Sequence, residues 1–109
     1  MKKKRIKPYI LDGAMGTELI RRSVNLPLPL WSGDANLTHP ETVIQIHQDY
    51  VNAGADILTT NTFRTTPRTY LKSGFTNTDS TKRALKSLNA AVSFARRAGR
   101  KEYTIIAGS

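Results

Sequence analysis

Twice in this chain a short apolar run breaks abruptly into small and polar residues, and that pattern restricts the fold more than any other feature. Tyr9-Ile10-Leu11 gives way to Asp12-Gly13-Ala14-Met15-Gly16-Thr17-Glu18, and Ala55-Asp56-Ile57-Leu58 gives way to Thr59-Thr60-Asn61-Thr62-Phe63. A buried strand that empties into glycines, hydroxyls and amides is how a βα unit presents a binding rim. Tyr103-Thr104-Ile105-Ile106-Ala107 forms a third apolar run and ends at Gly108-Ser109.

The stretches between these runs carry helical signals. Thr17 to Arg22 reads as a short helix with Leu19 and Ile20 available for burial, and Asn25 to Trp31, holding Pro27 and Pro29, reads as loop. Thr38 followed by Glu41 fits a capping box, with Pro40 in the first turn where its missing N–H costs nothing. Val43, Ile44, His47, Tyr50 and Val51 recur at helical spacing until Gly54, a C′ glycine. A long connection runs from Asn61 to about Asp79, with Pro67 opening a helical turn around Tyr70 and Leu71. The last helix is predicted from about Ser80 to Ala98, with an apolar stripe of Ala84, Leu85, Leu88, Ala91, Val92 and Ala95. The order is therefore β-α-β-α-β. Crossovers of this length join parallel strands, so Asp12-Gly13, Thr60-Asn61 and Gly108-Ser109 fall on one edge.

A chain of 109 residues holds one domain at most. Its 39% hydrophobic and 23% charged residues are those of a soluble globular protein. No apolar run approaches the roughly 20 residues of a membrane span. Lys2-Lys3-Lys4-Arg5 is followed by Ile6-Lys7-Pro8, which leaves no apolar core for a secretory signal, so a cytoplasmic location is expected. The absence of cysteine excludes disulfides and thiolate-held metal. Of the net charge of +9, five units come from Lys2, Lys3, Lys4, Arg5 and Lys7. Residues 1–8 thus read as a solvated basic leader and 9–109 as the folded domain. Nucleic acid is disfavoured as a partner, because no aromatic residues interleave with the basic ones.

The first rim offers a carboxylate, two glycines and a helix start. Helix-start amides hold a carboxylate or phosphate, glycine permits close approach, and Asp12 can accept from a ligand ammonium. The same residues also serve as a plain βα turn in which Asp12 bonds local amides. Neither a Walker loop nor a G-x-G-x-x-G fingerprint is present, which counts against a stand-alone nucleotide-binding domain. Thr59, Thr60, Asn61 and Thr62 can bind a small polar ligand or cap the strand end. Trp31 to Asn36 reads as a packed loop. His39 and His47 lie about 12 Å apart along a helix, too far to share a metal, and His47 reads as a satisfied, partly buried histidine. No Ser/His/Asp or paired-carboxylate constellation is identifiable.

Leu11 to Leu19 resembles the opening of the homocysteine S-methyltransferase family. So do Trp31-Ser32, Asn36 to Val43, His47 to Phe63 and Ile106-Ala107-Gly108-Ser109. The resemblance covers nearly all of the chain after the leader. It implies the N-terminal β-α-β-α-β part of a (β/α)₈ TIM barrel that transfers a methyl group from a donor to the thiol of homocysteine, giving methionine. In that family three cysteines hold a zinc ion that binds the thiol and lowers its pKa. Those cysteines lie in later strands, so no metal ligand or catalytic residue is assigned here, and the chain alone is expected to hold no zinc and to be inactive. Carried over by position, Asp12 faces the substrate ammonium and the Gly13 and Met15 amides face its carboxylate, with Asn61 and Thr62 lining the same pocket. A closed barrel takes about 250 residues, and three strands leave open edges. The alternative expectation is a non-catalytic α/β module that self-associates or complements another chain through those edges.

Overall fold

The computed structural model describes residues 8–100 and 103–108. The leader reading lies almost entirely outside them, as does the closing Ser109. The described residues form an α/β structure around a small parallel sheet. In chain order the elements are α1 (Met15–Arg21), a 3₁₀ turn (Trp31–Asp34), α2 (Ala35–Thr38), α3 (Pro40–Asn52), β1 (Ile57–Thr59), α4 (Pro67–Lys72), α5 (Asn77–Ala98) and β2 (Ile105–Ala107). β1 pairs in parallel with β2, Ile57 opposite Ile105 and Thr59 opposite Ala107. On the other side of β1, Leu11 bridges Ile57, also in parallel. The three apolar runs thus lie side by side with their C-terminal ends on one edge, as the β-α-β-α-β order requires. Among the described residues no helix is long and apolar enough to cross a membrane.

The first run departs from the expected buried strand. Tyr9, Ile10 and Leu11 are 53%, 56% and 62% exposed, and the pairing reduces to one bridge. Its backbone bonds toward the β1 segment, with Asp12 N donating to Ile57 O, Ile57 N to Ile10 O and Ile10 N to the Asp56 carboxylate. No described element covers its far side, which leaves these side chains exposed among the described residues.

Helix ends follow local chemistry with one correction. The expected capping box at Thr38 does not form, because Thr38 closes α2 and its hydroxyl donates back to Asp34 O at 3.3 Å. His39 is the N-cap of α3 instead, without a side-chain cap, and Pro40 takes the first helical position. At the other end Gly54 adopts φ +109°, a conformation that disfavours a Cβ. Gly54 N donates to Val51 O and Ala55 N to Tyr50 O, the paired bonds of a Schellman motif. The same pair ends α4, where Phe75 packs edge-on against Tyr70 at 5.4 Å. Thr66 and Thr76 cap α4 and α5 by accepting from Thr69 N and Asp79 N.

One core cluster joins Leu19, Val24, Leu26, Ala35, Val43 and Ile46, with Met15, Trp31, Tyr50 and Phe94 packed against it. A second joins Leu30, Tyr70 and Ala84. α5 spans both and buries the alanines of the expected stripe, Ala84, Ala91 and Ala95, but not Leu85 and Leu88. Its inward face is Ser80, Ala84, Ser87, Ala91 and Ala95, while Leu85 is 59% exposed. Small residues let α5 approach α2, α3 and α4 closely, which turns its leucines outward.

His47 is also unlike the expectation of a satisfied side chain. It is fully buried on α3, and neither ring nitrogen has a hydrogen-bond partner among the described residues. Burial pushes its pKa below the usual value, opposed by the charge of Asp12. The folded state therefore holds His47 neutral, whereas the unfolded chain takes up a proton below about pH 6.5. Stability should be complete above that pH and fall on acidification by up to about 1.4 kcal/mol per pH unit until the folded-state pKa is reached. Urea midpoints at a series of pH values measure the slope, and His47→Leu should lose this component.

Candidate functional site

The edge carrying the two rim motifs is held together by Asp12. Its carboxylate accepts from Thr59 N at 2.9 Å and from Thr59 Oγ1 at 3.0 Å, one bond to each oxygen. Both motifs predicted to share an edge are thereby in direct contact. A carboxylate has about four lone-pair sites, so two acceptor positions on Asp12 remain. The side chain is half-buried, which leaves it open to a ligand from the rim.

Two aromatic side chains fix the loop that follows. Tyr50 on α3 donates its hydroxyl to Ala14 O at 2.9 Å and lies where a Cβ on Gly13 would come within 2.7 Å. Trp31 Nε1 lies 2.5 Å from the position of a Cβ on Gly16. At both glycines an aromatic ring occupies the space that a side chain would need, so a larger residue would have to displace Tyr50 or Trp31. The N–H groups of Gly13 and Met15 have no acceptor among the described residues and sit at the entry to α1.

The second rim is mostly turned inward, with Thr60 and Asn61 buried and Thr62 half-buried. Thr60 and Thr62 share a hydroxyl–hydroxyl bond at 3.1 Å, and Thr60 N donates to Ala107 O at the end of β2. Asn61 turns inward and is buried. Its Nδ2 donates to Ser32 O at 2.8 Å and to Asn36 Oδ1 at 3.2 Å. Asn36 Nδ2 in turn donates to Asn61 O at 2.8 Å and Ser87 Oγ at 3.0 Å, and Ser87 Oγ donates to Gly33 O. The structure therefore brings Asp12, Gly13 and Met15 together at the rim, while the Asn61 side chain braces that rim from behind.

Trp31 to Asn36, expected as a packed loop, is instead a 3₁₀ turn running into α2. It is the hub of two polar networks. Besides the amide network, Asp34 accepts a two-pronged ion pair from Arg83 at 2.9 Å for each bond. Tyr70 also donates its hydroxyl to Asp34, and burial followed by this bond pushes the phenol pKa far above its usual range. Arg83 further stacks over Phe75 at 5.2 Å. No local spacing in the sequence announces Asn36, Ser87 or Asp34 as partners, since they are 25 to 51 residues apart.

The donors present do not suit a thiolate-held zinc. The chain has no cysteine, and among the described residues no three His, Asp or Glu side chains group closely enough to hold a metal. His47 is sealed in the interior and Asp12 is engaged by Thr59.

A family model described as homocysteine S-methyltransferase matches residues 9–109. The homocysteine S-methyltransferase of Escherichia coli (strain K12) is 37% identical over 82 residues, covering 75% of this chain and 26% of that protein. Homocysteine S-methyltransferase 3 of Zea mays is 34% identical over 83 residues, 76% of this chain and 25% of that one. The crystal structure of the homocysteine methyltransferase MmuM from Escherichia coli, in its metallated form, superposes with a TM-score of 0.75 at 30% identity, over 92% of this chain and 36% of that chain. The chain belongs to the homocysteine S-methyltransferase family. It spans about a quarter of the length of the curated relatives it matches.

The amide network generates a stability prediction. Asn36→Leu removes the central carboxamide, strips the buried Asn61 carbonyl and one Asn61 Nδ2 hydrogen of their partner, and takes one of two bonds from Ser87 Oγ. Urea unfolding should register a loss of about 2 to 4 kcal/mol. Ser80→Ala, which deletes a buried hydroxyl that has no partner, should cost nothing by the same measurement.

Proposed function

We propose that this chain forms the N-terminal βα units of a (β/α)₈ barrel and supplies the amino-acid-binding rim of a homocysteine S-methyltransferase. The observation that carries this reading is the Asp12–Thr59 contact, which sets a carboxylate beside the acceptor-free amides of Gly13 and Met15. Homocysteine carries an ammonium and a carboxylate on one carbon. In this reading Asp12 accepts from the ammonium, the Gly13 and Met15 N–H groups donate to the carboxylate, and Thr62 closes the second side over the brace formed by Asn61. This part of the chemistry is binding and orientation: the substrate is held by its backbone end so that its thiol points along one direction. The residues here provide no group that would ionise the thiol. Zinc-dependent activation and the choice of methyl donor then rest with the portion of the relatives that this chain does not cover.

Grafting tests the reading. Residues 9–109 replace the corresponding segment of the Escherichia coli homocysteine S-methyltransferase, and methionine formation is followed with that enzyme's own donor. The folded graft should turn over, and Asp12→Ala within it should lower kcat/KM about 10- to 100-fold, the loss expected for a charge-assisted hydrogen bond. A graft that folds but is inactive would refute the proposal, as would methionine formation by the 109-residue chain alone with zinc and donor.

Exposed apolar surface favours a second reading, in which the chain pairs with itself or with a complementing chain. Tyr9, Ile10 and Leu11 lie uncovered along one sheet edge, and Leu85 and Leu88 along the flank of α5. Strand edges with exposed apolar side chains recruit further strands. Size-exclusion chromatography of the purified chain should then give a dimer or larger species, and a well-folded monomer would count against this reading.

A further inference from the structure

α5 sorts its side chains by direction, and one of those directions is strongly cationic. Within Asn77–Ala98 stand five bases, Lys82, Arg83, Lys86, Arg96 and Arg97, against the single acid Asp79. Arg83 turns inward to Asp34. The other four, with Asn89 and Ser93 between them, fall within an arc of about 100° and along a length of about 22 Å. That arc lies opposite the buried Ser80, Ala84, Ser87, Ala91 and Ala95. Lys82, Lys86, Arg96 and Arg97 are exposed and have no ion-pair partner among the described residues. The carboxylates that are paired, Glu18, Asp34 and Asp49, serve Arg21, Arg22 and Arg83 instead. A shallow depression of about 440 Å³ opens at the basic end, lined by Asn89, Val92, Ser93, Arg96 and Arg97.

The helix dipole accounts for part of this arrangement only. Arg96 and Arg97 occupy the last turn, where cations are favoured. Lys82 and Lys86 lie well before that turn and gain nothing from it. Four cations in one row, without an ion-pair partner among the described residues, set up a positive potential that a linear polyanion complements. We propose that this face of α5 docks the phosphate backbone of a duplex nucleic acid without reading its sequence.

Geometry selects the duplex over other polyanions. A helix that lies on a membrane needs an apolar face turned toward the lipid opposite its basic one, and here that opposite face is packed inside the protein. An unpaired strand is held by aromatic side chains stacking on its bases, and the cationic arc carries none. A duplex offers ordered phosphates to lysine, arginine, asparagine and serine side chains alone. This docking is independent of the barrel reading and of the basic leader.

The test measures fluorescence anisotropy of a labelled DNA duplex of about 20 base pairs with the full chain, across about 50 to 200 mM KCl. A second protein lacking residues 2–7 isolates the helix. Four phosphate contacts predict that the leader-less protein binds with a slope of log K against log salt near −3.6. Neutralising Lys82, Lys86 and Arg97 together to Gln should weaken binding at least tenfold at low salt and bring the slope near −0.9. Replacing Lys82 and Lys86 by Arg should retain both affinity and slope, and circular dichroism should show equal helix content in all variants. The proposal is overturned if the neutralised protein binds like its parent, if deleting residues 2–7 abolishes binding, or if vesicles containing phosphatidylserine are bound and the duplex is not.

Discussion

Three segments that are distant in the chain meet around the carboxamide of Asn36. The 3₁₀ turn with α2, the loop after β1 and the middle of α5 are joined there by buried hydrogen bonds. Buried polar groups are costly unless every one of them is paired, and a fully paired network admits a single arrangement. The network therefore does more than add stability. It sets the height at which Asn61 leaves β1 and the rotation of α5 about its own axis. Hydrophobic burial alone would accept several rotations of a helix rich in alanine and serine.

The candidate site inherits its geometry from that frame. β1 ends at Thr59, and Thr59 fixes Asp12 through both its amide and its hydroxyl. Tyr50 and Trp31 then press the loop from Gly13 to Gly16 against α3 and the 3₁₀ turn, filling the volume that side chains at those glycines would need. What results is a preorganised rim with carboxylate and amide groups side by side. Membership of the homocysteine S-methyltransferase family gives that rim its meaning, and the chain's coverage of about a quarter of its relatives gives its scope.

α5 shows how one helix answers several demands. Its inner face of Ser80, Ala84, Ser87, Ala91 and Ala95 closes the core. Its flank carries Leu85 and Leu88 exposed, and its outer face carries the cations that have no ion-pair partner among the described residues. A periodicity argument sees three apolar directions compressed into one stripe, because alanine counts the same whether it is buried for closeness or merely tolerated. Serine at positions 80 and 87 reads as surface by the same logic, yet both are fully buried.

Local chemistry was enough to read the parallel β-α-β-α-β order, the turn at Gly54, the helix at Pro67 and the shared edge of the two rim motifs. Each of these depends on steric preferences or side-chain period within a few residues, which the order of amino acids specifies directly. The exposed first run and the inward turn of Asn61 belong to tertiary structure. Each depends on which distant group arrives nearby: no described element packs on the far side of Leu11, and Asn36 and Ser32 claim the Asn61 amide. The failed cap at Thr38 is local, because the hydroxyl bonds Asp34 O four residues back. Packing selects among the hydrogen bonds a residue type permits, and that choice is made only when segments tens of residues apart come within about 3 Å of one another.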